Sequence, residues 1–136
     1  REESEKEKRK EKMDKKTKLT LAELLKRKEQ IIAAKKTKKT QNLYVNSLGA
    51  IITIEEPEAS LCRDVSDMEA GEGDKYMCYE CIKEPDLKSK EVQDAFGCAV
   101  PMDIVEMIFA PGEIPQIAVE CMKLAGYMDG VKQVKN

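Results

Sequence analysis

The chain has 136 residues, 37% of them Asp, Glu, Lys or Arg, and no His at all. The missing imidazole removes the commonest general base and the commonest metal ligand together, so catalysis is not expected. The net charge of −2 conceals a split: residues 1–40 hold 16 basic and 8 acidic residues, and residues 41–136 hold 8 and 18, a basic arm joined to an acidic body.

Residues 1–16, nearly all Lys, Glu and Arg, have nothing apolar to bury and are expected to form a long charged helix or a flexible arm. At Leu19-Thr20-Leu21-Ala22-Glu23-Leu24 the pattern changes. Thr20 and Glu23 have capping-box spacing, which predicts an amphipathic helix over about 20–34 with Leu21, Leu24, Leu25, Ile31 and Ile32 on one face. The basic run Lys35–Lys39 reads as a linker. Between Leu43 and Ile54, β-branched and aromatic residues flank Asn46-Ser47-Leu48-Gly49, the pattern of a short hairpin.

Pro57 then opens a helix that presents Leu61, Cys62, Val65 and Met68 to one side, and Gly71-Glu72-Gly73 is expected to end it. Asp74 reads as the N-cap of a segment Lys75–Lys83 whose Tyr76, Met77, Cys78, Tyr79, Cys81 and Ile82 mark the central helix. Glu84-Pro85-Asp86 breaks it. A short helix runs from about Ser89 to Phe96 before Gly97, and another follows Pro101 with Ile104, Val105, Ile108 and Phe109 inward. In the last helix Ile114, Ile117, Ala118, Cys121, Met122 and Ala125 recur at three- and four-residue spacing, with Pro115 in the first turn. Gly126 stands where a left-handed closing residue belongs, so that Tyr127 folds back onto Met122.

The fold expected is mainly α: a small β-hairpin followed by about five short helices, preceded by the charged N-terminal helix or arm. Three regions are read: a basic arm over 1–40, a compact acidic helical domain over 41–128, and a flexible tail over 129–136. With no long apolar run and no leader-like opening, the chain reads as soluble and cytoplasmic.

The residues that could carry chemistry are few. Five Cys, an odd number, argue for reduced thiols over a disulfide framework, and Cys62, Cys78, Cys98 and Cys121 all sit among apolar neighbours. Cys78-Tyr-Glu-Cys81 has the spacing of a zinc or redox pair, but a zinc site would need partners from Cys62, Cys98 and Cys121, and none repeats that gap. No metal and no cofactor are expected. Glu55-Glu56, Glu80 with Glu84, and Asp103 with Glu106 are the carboxylate pairs, of a kind ordinary on solvated faces. The arm could meet nucleic acid phosphates through Lys8, Arg9, Lys10, Lys15, Lys16 and Lys18 or through the Lys35 to Lys39 run, yet interleaved Glu residues weaken that field and no aromatic precedes Tyr44 for base stacking. A nucleic-acid adaptor and a small Cys-based zinc or redox protein are therefore the two competing readings.

Taken in order, Val45-Asn-Ser-Leu-Gly49 with Ile52-Thr-Ile-Glu-Glu-Pro57, Tyr79-Glu-Cys-Ile-Lys-Glu-Pro-Asp-Leu87, Pro111-Gly-Glu-Ile114 and Leu124-Ala-Gly-Tyr127 resemble the XkdN-like tail assembly chaperones of bacteriophages, over about residues 18–128. The resemblance implies a small, mainly helical, non-catalytic protein of contractile-tailed phages, defective prophages or related bacteriocins. It implies two partners, the tape measure protein, held soluble, and tail tube subunits brought to it, in the host cytoplasm and absent from the finished tail. Self-association is left open. No catalytic or metal residue comes with the family. An apolar strip of Ile104, Ile108, Phe109, Ile114, Ile117 and Tyr127 is read as the client surface, against the alternative that each of these residues closes the core. The ending Val134-Lys135-Asn136 is compatible with a frameshifted longer product. The charged opening and the several Cys depart from the family's usual pattern.

Overall fold

The computed structural model describes residues 17–134, so the expectation for residues 1–16 lies outside the described residues. Two compact units divide between Thr37 and Lys38. The first holds α1 (Leu21–Lys26) and α2 (Lys28–Lys36). Thr20 caps α1, its hydroxyl accepting the Glu23 N–H at 3.2 Å, as the capping-box spacing requires. The single helix expected over 20–34 is two, because Arg27 leaves helical geometry at φ −89°, ψ 0°; nothing in the sequence around it marks the break. Lys35 and Lys36, read as linker, occupy the last turn of α2, where cations complement the helix dipole.

The second unit runs β1 (Thr40–Val45), β2 (Ala50–Glu55), α3 (Ala59–Ser66), α4 (Ala70–Cys81), β3 (Ile82–Glu84), α5 (Lys90–Phe96), a 3₁₀ turn Pro101–Asp103, α6 (Ile104–Ile108) and α7 (Glu113–Leu124). The expected hairpin is β1–β2, in continuous register from Thr40↔Glu55 to Val45↔Ala50, closed by Gly49 at φ +59°. It does not stand alone. β3 adds antiparallel to β2 to complete a three-stranded sheet, so the fold is helix-rich but mixed α and β rather than a helical body with a bare hairpin. The helix that was expected to run to Lys83 ends at Cys81, and Ile82 turns directly into the sheet opposite Ile54. Three residues are too few to show a period, and Ile82 continues the apolar pattern of α4 without a gap, which is why the strand is not visible in the sequence.

The boundary between α3 and α4 is also corrected. Gly71 and Gly73 lie inside the first turns of α4 instead of ending α3, and Glu69, not Asp74, is the N-cap. Gly73 is required by close packing: a Cβ there would stand 3.0 Å from the Val65 carbonyl oxygen and 3.1 Å from its Cγ1. α4 is the central helix, with Met77, Cys78 and Cys81 buried between sheet and α7. Lys75, also buried, extends its ammonium to Asp103 at 2.9 Å and Glu106 at 2.7 Å, tying α4 to the 3₁₀ turn and α6.

α7 is closed as its sequence specifies. Gly126 takes φ +88°, the Gly126 N–H donates to the Lys123 carbonyl at 3.0 Å, and the Tyr127 N–H donates to the Met122 carbonyl at 3.1 Å. Its other end is held by Glu113, whose carboxylate accepts the Ser47 hydroxyl at 2.7 Å, the Ser47 N–H at 3.1 Å and the Ala110 N–H at 2.9 Å. The hairpin tip is thereby fastened to the start of α7.

Candidate functional site

Of the six residues read as a client strip, Ile104, Phe109, Ile114 and Ile117 are buried in the core and Ile108 is half-buried. Those four do not form a free strip; they close the core, which was the alternative reading. Tyr127 is the exception, 44% exposed. It lines a groove of about 220 Å³ whose other walls are Val65 of α3, Asp74 and Met77 of α4, Ala118, Val119 and Met122 of α7, and Met128.

The groove follows from the way α7 ends. After the left-handed Gly126 the chain makes a second tight turn, with the Gly130 N–H on the Gly126 carbonyl at 3.1 Å and Met128 itself left-handed at φ +84°. A residue with a Cβ is uncommon there and costs about 1–2 kcal/mol in backbone energy. The turn sets Tyr127 and Met128 beside Val119 and Met122. The neighbouring Cys62 thiol raises the pKa of the Tyr127 hydroxyl, and burial raises that of the Asp74 carboxyl. Met128 is 70% exposed and Val119 37%, so the rim is apolar, accessible and rich in flexible thioethers that adapt to varied side chains. The periodicity of α7 marks Met122 and Tyr127, but the groove itself depends on where α3 and α4 pack, which no local pattern shows.

The other candidates have structural surroundings. Cys78 donates to the Ile114 carbonyl at 3.4 Å, and its pKa is pushed up to about 12, by burial first and then by Asp74. Cys81 lies on Met77 at 3.4 Å; a hydrogen bond from Cys121 lowers its pKa against burial, and the same bond, with burial, drives that of Cys121 far up. These thiols are core residues with poor access to solvent. Among the described residues no group of three or more His, Cys, Asp or Glu is placed to hold a metal ion. Each carboxylate pair has at least one member on a cation: Glu80 on Lys88 at 2.6 Å, Asp103 and Glu106 on Lys75, and Glu55 on Lys83 at 3.8 Å, while Glu56 accepts the Lys39 N–H at 3.2 Å. No helix among the described residues is long and apolar enough to cross a membrane.

A small helix-rich body with an open, methionine-lined groove has the features of a protein-binding module. Residues 1–136, the whole chain, match the family model of the phage XkdN-like tail assembly chaperone protein, and the chain belongs to that family. No curated protein and no solved structure matches it.

Proposed function

We propose that the chain acts without catalysis in the host cytoplasm, holding the tape measure protein soluble through the groove beside Tyr127 and bringing tail tube subunits to it before the tail is finished. The family match over the whole chain carries the chaperone role. The groove supplies the physical means: Val119, Met122, Tyr127 and Met128 offer an adaptable apolar seat for the nonpolar face of a helical segment. Half-buried Ile108 is the other residue of the expected strip with surface left to contribute. The acidic body adds charge that keeps a chaperone–client complex in solution.

Co-expression with the tape measure and tail tube proteins, followed by purification through a tag on this chain, tests the proposal. The expected result is recovery of the tape measure protein at fixed stoichiometry, and its loss with Val119→Lys, an exposed substitution that leaves the fold's melting temperature nearly unchanged. A tape measure protein that stays soluble alone and never co-purifies would reject the proposal.

A further inference from the structure

β1 is an edge strand: the sheet order is β1-β2-β3, and β1 has no second neighbour among the described residues. The Glu56 N–H donates to the Lys39 carbonyl at 2.8 Å, which fixes the phase of the antiparallel ladder. Residues 39, 41, 43 and 45 therefore direct their main-chain groups to β2, while those of Thr40, Asn42 and Tyr44 point to the open side. Natural edges are blunted by Pro, by Lys pointing inward or by bulges; β1, Thr-Gln-Asn-Leu-Tyr-Val in unbroken register, has none of these within its own span, and the one lysine of the ladder, exposed Lys39, stands just before it. Along its second half runs a groove of about 170 Å³, between Leu43–Asn46 and a wall of α7 formed by Glu113, Gln116, Ile117 and Glu120.

We propose that a second copy of this chain occupies this edge, β1 pairing with β1 antiparallel about a two-fold axis at Asn42. The phase of the ladder allows this register: Asn42 faces Asn42 and Thr40 faces Tyr44, so every outward main-chain group meets an outward group. The same register sets Lys39 of the partner subunit opposite Val45. Side chains alternate along a strand, and Val45 is on the core face, so the partner's Lys39 stands on the face that carries Glu113 and Glu120. The two-fold repeats the contact at the other end, giving a self-complementary interface in which a lysine meets, twice over, Glu120, whose cation within the chain is Lys123 at 3.7 Å, and Glu113, which Ser47 and Ala110 hold in place. This goes beyond the client-binding reading and uses a different surface.

Sedimentation equilibrium on the full chain, with amide hydrogen exchange at low and high concentration, tests it. A dimer is expected, with the Asn42 and Tyr44 amides protected only at concentrations where it forms. Asn42→Pro removes an outward N–H but no ladder bond, and is expected to abolish the dimer. Independently, Lys39→Glu should weaken it about tenfold and Glu120→Lys added to it should recover most of the loss. A chain that is monomeric at every concentration, a dimer in which the Asn42 and Tyr44 amides stay unprotected, or a dimer indifferent to both charge changes overturns the proposal. No client enters the test, so its failure leaves the chaperone reading as it stands.

Discussion

Gly71 and Gly73 are two residues apart in the same helix and answer to different constraints. Nothing lies within 4 Å of a Cβ built on Gly71, whereas one on Gly73 meets the Val65 backbone at 3.0 Å. Gly71→Ala should therefore stabilise the fold by about 0.5–1 kcal/mol through helix propensity. Gly73→Ala should destabilise it by about 1–3 kcal/mol through overpacking, both read from chemical denaturation. Read from sequence, the pair Gly-Glu-Gly signals a helix end; the same absence of a Cβ serves close packing instead, and only the position of α3 distinguishes the two. Glu113 gives a pH signature. The Ser47 hydroxyl, then the Ala110 and Ser47 N–H groups, hold its pKa below the ordinary 4.5. Its contribution is present above pH 4.5 and is lost as pH falls through the lower folded value. Glu113→Gln should melt lower than the parent at neutral pH, and the gap should close under acid; a gap constant across that range would show that the carboxylate's charge contributes nothing.

Among the elements, those with chemically marked ends were legible. Thr20 caps α1, Ser89 caps α5 by accepting the Val92 N–H at 3.3 Å, and Gly97 and Gly126 close α5 and α7 in the left-handed region. What escaped was decided by packing: β3 exists because Ile82 finds Ile54, and the second turn after α7 exists because Gly130 reaches back to Gly126. That turn carries a testable trade. Met128 at φ +84° would be relaxed by glycine, so Met128→Gly should raise stability by about 1 kcal/mol while weakening client binding, since it deletes a wall of the groove. Equal client affinity in parent and variant would remove Met128 from the binding surface.

For the whole molecule, the expected strip and the observed groove share one residue, Tyr127, and the difference has a physical origin. Periodicity identifies which side chains lie on an apolar face, but a face turned to the core and one turned to a client look the same in sequence. Ile114 and Ile117 belong to the first kind; Val119 and Met122, on the neighbouring faces of α7, reach the second through the turn that follows. The charge split between residues 1–40 and the rest was legible from composition alone, and so was the absence of any His. The most direct test of the groove is a spectrum of the chain labelled at its methionine methyl groups, titrated with the tape measure protein. Met122 and Met128 should shift on binding, while Met102 and Met107, which lie outside the groove, stay in place. Binding that moves only Met102 and Met107, or none of the four, would contradict the assignment of this surface to the client.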